Sequence, residues 1–461
     1  MLETHDIQGL VFSGYANHPS AAYLFFSIPD TGKAKEWLRQ MVPLVTTGGR
    51  DGKFARDRDF SLNVAFTCEG IGKLGLGEAT LTTFSRPFVE GMSEENRARI
   101  LNDTPKQWTW GRPGHHIHVL LMLFAGNESA LQELAKTETG RANRLGGLQE
   151  LLAIRSKDLP GDRENFEHFG FRDGIAQPDI AEYRPQKHKP GGPGNLIKAG
   201  EFILGYENEY GQKTDSPTLQ SPDSDFHGDL IEGDLGRNGT YLVLRQLAQD
   251  VPGFWNMLRE QCRRAKGASQ GETEEDLGAK LVGRRVDGTP LALEPLPAGL
   301  GKNVTNDFGY SQDDPYGYRC PLGAHIRRAN PRDALLEKSE DSLQTVKKHR
   351  LLRRGRPYGS SLKDRYTDDG KERGLVFITL NANIERQFEF VQHAWITSPN
   401  FAGLYDEADP ILGGRTRESG LFTIPKQPVR ERRHGIFSHV TVKGGAYFFL
   451  PSVRALSCLS R

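Results

Sequence analysis

The stretch His-Phe-Gly-Phe-Arg-Asp-Gly-Ile-Ala-Gln-Pro, from His168 to Pro178, places one acidic residue between glycines and beside aromatic residues. That residue, Asp173, lies between Arg172 and Gly174. An Asp in such a setting often forms a turn in which its carboxylate caps the following backbone. It can also be a functional carboxylate that a tight loop presents. The residues around Asp173 leave both interpretations open.

Two downstream segments carry residues typical of an active site. Residues 320–328 read Cys-Pro-Leu-Gly-Ala-His-Ile-Arg-Arg, and residues 351–359 read Leu-Leu-Arg-Arg-Gly-Arg-Pro-Tyr-Gly. A neutral imidazole among apolar residues, as at His325, can coordinate iron, although a lone His in an apolar segment is more often a satisfied core residue. Arg353 can supply a fixed positive charge, or it can simply belong to the basic cluster 347–356.

In these three segments the chain resembles the dye-decolorizing peroxidases, a family of haem enzymes with the signature G-x-x-D-G. The resemblance, to the larger bacterial members, runs from Asp6 to near the C-terminus. It implies a haem b peroxidase that uses hydrogen peroxide to oxidise bulky aromatic substrates, such as dyes and phenolics, in one-electron steps. It also implies that His325 is the axial iron ligand, that Asp173 moves a proton between the two peroxide oxygens, and that Arg353 stabilises developing charge.

Three further residues are assigned to the haem pocket. The charge of Arg327, two residues after the ligand, suits a haem propionate. Leu375 and Phe377 match the apolar distal wall in the family, and alternation along a strand places both on one face. Ordinary sheet core would give the same pattern. Two other classes of protein remain as alternatives: a haem-binding or haem-delivery protein in which Asp173 and Arg353 only anchor the cofactor, and a haem-free structural protein.

Charge and cysteine content restrict the partners and the compartment. Lys and Arg number 60 against 59 Asp and Glu, so no global field favours nucleic acid or an acidic membrane surface. The four cysteines form no C-x-x-C pair, as expected for reduced thiols. We find no export signal, and the longest apolar run, Val119 to Ala125, is far shorter than the roughly 20 residues that span a bilayer. We therefore expect a cytoplasmic protein without nucleic-acid or membrane partners. The sequence does not determine the oligomeric state and is compatible with a homo-oligomer.

Periodicity along the chain predicts two α+β halves, each an antiparallel sheet with helices on one face. The resemblance narrows these to two ferredoxin-like units, with haem mainly in the second. We expect an N-terminal unit at 1–183 that carries the GxxDG motif, a Gly- and Pro-rich connecting loop at 184–238 that contributes little core, and a C-terminal haem-binding unit at 239–461. The predicted strands are 7–13, 22–28, 62–66, 116–124, 241–247 and 375–381, and the predicted helices are 32–42, 128–136, 251–264 and 385–395.

Two motifs point to other functions. Residues 70–75, Gly-Ile-Gly-Lys-Leu-Gly, satisfy the dinucleotide-binding pattern G-x-G-x-x-G. The next predicted strand does not follow at the spacing of a βαβ unit, so we predict that these residues form a turn. His116 and His118 would share one face of a strand as a metal pair. No acid or Cys lies at ligand spacing nearby in the sequence, so structural histidines are favoured.

Overall fold

The computed structural model describes residues 1–49, 59–159, 165–183, 194–221, 223, 230–265, 271–295 and 306–461. The strands in this part of the chain are β1 (Ser20–Ser27), β2 (Phe60–Phe66), β3 (Val119–Ala125), β4 (Gln149–Lys157), β5 (Asp179–Ile180), β6 (Leu196–Ile197), β7 (Thr240–Gln249), β8 (Leu352–Arg353), β9 (Arg356–Tyr358), β10 (Gly374–Asn381), β11 (Leu421–Ile424), β12 (Glu431–His434) and β13 (Val440–Leu450).

The helices connect these strands and cover the sheet. They are α1 (Thr31–Met41), α2 (Cys68–Lys73), α3 (Glu78–Leu81), α4 (Arg86–Glu90), α5 (Glu95–Leu101), α6 (Glu128–Leu145), α7 (Val251–Arg264), α8 (Glu274–Val282), α9 (Tyr310–Asp313), α10 (His325–Ala329), α11 (Ser339–Lys347) and α12 (Val453–Leu459). Two π-helical segments, Glu385–Glu389 and Val391–Ile396, follow β10. None of the described helices is both long and apolar enough to cross a bilayer.

The two halves have the same topology. In the first half, β1-α1-β2-β3-α6-β4 forms an antiparallel sheet of order β4-β1-β3-β2. In the second half, β13, β7 and β10 are neighbours in that order, and the short strands β8 and β9 both pair with β10. Both patterns are ferredoxin-like, which confirms the predicted α+β class with two ferredoxin-like units.

The two sheets close into one barrel through two narrow contacts. Phe449 of β13 pairs with Phe66 of β2, and Ser156 of β4 pairs with Tyr358 of β9. Strands β1 and β3 are covered on both faces and are apolar on both sides, whereas one face of β4 is exposed. In β1, for example, Leu24 packs into the layer under the helices, while its neighbour Phe25 packs inside the barrel.

Most of the predicted elements are confirmed, and three differ. Residues 7–13 form a short 3-10 turn at Gly9–Val11 instead of a strand, and the apolar spacing of Ile7, Leu10 and Val11 is indeed helical rather than alternating. Residues 70–73 of the glycine motif belong to helix α2 instead of a turn, because the Thr67 hydroxyl accepts the Gly70 N–H at 3.0 Å and starts the helix. The predicted helix 385–395 is π-helical.

The connecting segment 184–238 contributes more core than we expected. Its residues 184–193, 222 and 224–229 lie outside the described part of the chain. In the remainder, Phe202, Ile203, Leu204 and Leu235 are fully buried in the two main clusters of the barrel. The expectation of a loop with little core is therefore wrong for the described part. These few apolar residues lie among many Gly and Pro residues, so the composition of the segment did not indicate that they are part of the core.

Candidate active site

A cavity lies between the loop that carries Asp173, the ends of β7 and β10, helix α10 and the π-helical segments. Five of the six predicted site residues line it: Asp173, His325, Arg353, Leu375 and Phe377. They come from segments far apart in the sequence, so their meeting is a result of the fold. The sixth, Arg327, is absent from the cavity wall described here.

Two glycines give the loop around Asp173 its shape. Gly170 and Gly174 have φ of 96° and 77°, which are unfavourable for other residues. A Cβ at either position would meet nothing within 4 Å, so it is the backbone conformation that requires glycine. Three backbone hydrogen bonds hold the loop between them: Glu167 N–H donates to Phe171 O and Arg172 N–H to Val286 O, both at 3.1 Å, and Asp173 N–H donates to Asn165 O at 2.7 Å.

The Asp173 carboxylate makes a turn contact and an ion pair at once. Its Oδ1 accepts the Gly174 N–H at 2.6 Å, as a turn-forming Asp would, and also contacts Arg353 Nη1 at 3.1 Å. Burial alone would raise the pKa of Asp173, but the charge of Arg353 and the hydrogen bond from Gly174 outweigh it and lower this pKa from its usual value. The carboxylate is therefore ionised at neutral pH.

His325 is the first residue of α10, and its Nδ1 nitrogen is paired with a buried carboxylate. Nδ1 lies 2.9 Å from Oδ2 of the fully buried Asp409, whose other oxygen accepts the N–H groups of Ile411 and Leu412 at 2.8 Å each. This pairing puts the imidazole proton on Nδ1 and leaves the Nε2 lone pair free to bind a metal. Burial opposes protonation of His325, but the charge and hydrogen bond of Asp409 outweigh it and raise the pKa of the imidazole.

Arg328 was not predicted from the sequence as a site residue, yet its hydrogen bonds stabilise the segments around His325. Its buried guanidinium donates to the carbonyl oxygens of Trp395 at 2.8 Å, Ser398 at 3.0 Å and Glu407 at 2.5 Å. It thus connects α10 to the segment that carries Asp409. In the sequence it is one more Arg in a basic run, and only its burial reveals the role.

Arg327 points away from the cavity. Its guanidinium lies 3.3 Å from Asp314 Oδ2 and donates to the carbonyl oxygens of Cys320 and Asp314, so its charge is already compensated. The geometry does not support the predicted contact with a propionate. Arg350, which does line the cavity, donates instead to neutral acceptors: Gly194 O, Asn195 Oδ1 and Ala176 O. Burial lowers the pKa of Arg350 to about 9, as expected for a charge that lacks a full counter-charge.

The rest of the wall is suited to an apolar cofactor. Leu375 and Phe377 face the cavity, whereas Val376 and Ile378 between and beyond them pack inside the barrel. The cavity combines apolar walls, an imidazole with a free Nε2 and a buried arginine that lacks a full counter-charge. These are the features that an iron porphyrin with two carboxylates requires, and the residues present therefore fit haem.

The histidine pair outside the cavity has an acid nearby, contrary to expectation. Glu69 Oε1 lies 2.8 Å from His116 Nδ1 and 3.2 Å from His118 Nε2. However, the Ile28 N–H donates to His118 Nδ1 at 2.7 Å, which requires a lone pair there and therefore a proton on Nε2. A protonated Nε2 cannot bind a metal. This supports the interpretation of these histidines as structural.

Comparisons with known proteins agree with this fold and site. The family model described as the DyP dimeric alpha+beta barrel domain matches residues 6–145. A dye-decolorizing peroxidase of Mycena epipterygia is 30% identical over 500 residues, covering 100% of this chain and 87% of that protein. A multifunctional dye peroxidase of an Amycolatopsis species is 27% identical and covers 95% of this chain and 91% of that protein.

Solved structures give the same result. A variant of the decolorizing peroxidase of Auricularia auricula-judae superposes with a TM-score of 0.80 at 25% identity, and the match covers 100% of each chain. A DyP-type peroxidase of Anabaena, at 22% identity, shares the fold with a TM-score of 0.78 over 99% of this chain and 94% of that chain. Sequence and fold together therefore show that this chain belongs to the dye-decolorizing peroxidase family and is a haem peroxidase.

Proposed function

We propose that the cavity is the peroxidase site, in which His325 would hold the iron of haem b and Asp173 and Arg353 would act together on hydrogen peroxide. The observation that carries the proposal is that the Asp173–Arg353 ion pair and the Asp409-supported His325 line the same apolar cavity. Noncovalent haem b is supported by the sequence, because covalent attachment of the c type needs a C-x-x-C-H motif and none is present.

The residues divide the work as follows. When bound, haem supplies the redox chemistry that cleaves the O–O bond and accepts electrons from the reductant. Asp173, being ionised, takes the first proton of hydrogen peroxide and returns it to the departing oxygen, which leaves as water. Arg353 stabilises the negative charge that develops on that oxygen. Asp409 keeps the Nδ1 proton of His325 in place, and Arg350 is positioned to meet a propionate.

The visible spectrum before and after one equivalent of hydrogen peroxide tests this function. We expect the purified holoprotein to show a Soret band that peroxide changes and an aromatic reductant restores. A haem-delivery protein would bind haem without this reversible change, and a haem-free structural protein would show no Soret band. Either result would contradict the proposed site.

We further propose that dyes and other bulky aromatic reductants are oxidised at the protein surface, because a haem enclosed in the cavity would be out of reach of a polycyclic molecule. All five Trp residues are buried, which leaves tyrosines as surface donors. Tyr316, Tyr318 and Tyr405 have 68%, 46% and 74% of their surface exposed, and the first two rings are 5.6 Å apart.

Replacing Tyr316, Tyr318 and Tyr405 with Phe should slow turnover of a bulky dye and leave the reaction with peroxide unchanged. Tyr210→Phe is the control. Tyr210 is also exposed, but Lys348 and Arg386 lie against its ring and disfavour loss of an electron from it. Spin trapping with peptide mapping would locate the radical. Unchanged dye turnover in the triple variant would count against these residues.

We also propose the division into 1–183, 184–238 and 239–461, a cytoplasmic location and a homo-oligomer. The start of β7 at Thr240 supports the last boundary. The four cysteines, all within the described residues, form no disulfide with one another, in agreement with a reducing compartment. The description of the matched domain as dimeric supports self-association.

A further inference from the structure

Glu167 holds the backbone of the loop that carries Asp173. Its Oε2 accepts the Phe169 N–H and its Oε1 accepts the Phe171 N–H, both at 2.8 Å. One carboxylate thus satisfies two backbone donors on the turn immediately before Asp173. Because Asp173 follows Phe171 by only two residues, the position of Phe171 restricts where the Asp173 carboxylate can lie.

Glu167 is in turn anchored to the barrel. Gln249, at the end of β7, donates from Nε2 to Glu167 Oε2 at 2.5 Å, while its own backbone N–H donates to Arg373 O at 2.9 Å. Two other contacts hold the neighbouring residues: His168 Nε2 lies 2.8 Å from Tyr358 O, and Trp255 Nε1 donates to Phe169 O at 3.1 Å. The carboxylate therefore connects the loop to a rigid strand.

We propose that Glu167 is a positioning residue of the peroxidase. Its ionised carboxylate clamps the Phe169–Phe171 turn and thereby determines where the Asp173 carboxylate lies at the cavity wall. This inference rests on the proposed role of Asp173. It adds to that role a residue that does not itself contact the reacting atoms.

The charge state of the clamp changes near neutral pH. Burial raises the pKa of Glu167 to about 7, even though the hydrogen bonds from Phe171, Gln249 and Phe169 act to lower it. The charged group that faces it is Asp173, on the same loop, whose negative charge adds to the increase; from β7 it meets the neutral amide of Gln249. Nearby, burial and the positive charge of Arg373 lower the pKa of His168.

Protonation would weaken the clamp, because a carboxylic acid turns one of its two acceptor oxygens into a donor that faces a backbone N–H. The clamp is therefore complete above about pH 7 and is released as the pH falls through that value. Below it, Asp173 remains ionised and supports a slower reaction.

The test uses Glu167→Gln, which resembles the protonated side chain, in the haem-loaded protein. We expect its stopped-flow rate constant for hydrogen peroxide to be lower than wild type at pH 8, by up to about 10²-fold, the cost of a misplacement of about 1 Å. The two rates should converge below pH 6. Glu182→Gln is the matched control, since Glu182 accepts a backbone N–H, that of Ala199 at 2.8 Å, but does not line the cavity.

Amide hydrogen exchange provides a readout that does not depend on turnover. At pH 8, Glu167→Gln should accelerate exchange at Phe169 and Phe171 but not at Phe254 in α7, whose N–H donates to Asp250 O. A rate ratio that is constant from pH 5 to 9, with unchanged exchange, would overturn the proposal. Faster exchange with an unaffected peroxide rate would also overturn it. If Asp173→Asn were unaffected as well, the proposed function of Asp173 would fail with it.

Gln249→Leu tests the clamp should Glu167→Gln not fold. It removes a hydrogen bond that lowers the pKa of Glu167, so the pH at which the peroxide rate declines should move upward. A purely structural role of Glu167 predicts no such movement, and an unmoved pH profile would overturn the proposal.

Discussion

Replacing His325 with Ala should abolish normal ligation of haem iron, the largest effect we expect in this protein. The Nε2 of His325 is the imidazole nitrogen that the structure leaves available, and no other His lines the cavity within the described residues. Changes to partners behind a ligand already cost about 10–100-fold in metal affinity. Loss of the ligand itself should cost more. The Soret band and haem retention during gel filtration measure the effect.

Two further variants make this result specific. His434→Ala, at an exposed position of β12, should leave the spectrum unchanged. Asp409→Asn should retain haem but alter the spectrum, because it removes the charge behind Nδ1 while keeping a polar side chain there. If His325→Ala kept the spectrum of the wild type, another residue would be the ligand and the proposed site would be wrong.

Asp173→Asn and Arg353→Leu should both slow the reaction with hydrogen peroxide, and their pH profiles should differ. Loss of general acid–base help costs about 10²–10⁴ in rate, and loss of one preorganised charge about 10²–10³. These ranges overlap, so the size of the loss cannot separate the roles. Asp173→Asn removes the proton acceptor and should lose the acid limb of the profile altogether.

Arg353→Leu should keep the acid limb and move it to higher pH. Asp173 accepts a proton only when it is ionised, so the rate is lost as the pH falls through its pKa. In the wild type this pKa lies below the ordinary value of about 3.9: burial acts to raise it, but the charge of Arg353, together with the hydrogen bonds from Gly174 and Arg353 and the charge of His325, outweighs burial. Without that charge, burial raises the pKa. Activity of the wild type should accordingly persist into mild acid.

Stopped-flow rates from pH 3 to 8 on haem-loaded variants measure these profiles, with Asp287→Asn, at an exposed position, as the control. The opposite result is equally clear. If Asp173→Asn reacted with peroxide as fast as the wild type while Arg353→Leu were inert, the arginine would be the essential distal group.

The sequence by itself determined the fold class and predicted five of the residues that line the candidate site. Strand β1 follows from a short, continuous apolar run, and helix α1 follows from the helical spacing of its apolar residues. The residues Asp173, His325 and Arg353 are recognisable because each lies in a short segment of unusual composition, and the fold brings all three to one cavity. Their chemical roles remain predictions.

Only the tertiary structure decided which charges are compensated. Arg327 and Arg350 look alike in the sequence, but Arg327 is paired with Asp314 whereas Arg350 meets neutral acceptors at the cavity wall. Asp409 lies 84 residues beyond His325, and no sequence motif around it indicates that it pairs with this histidine. The direction of the Asp173 pKa also depends on opposing effects of burial and charge. Ion pairs, hydrogen-bond partners and burial depend on distances between segments remote in the chain, which sequence periodicity does not contain.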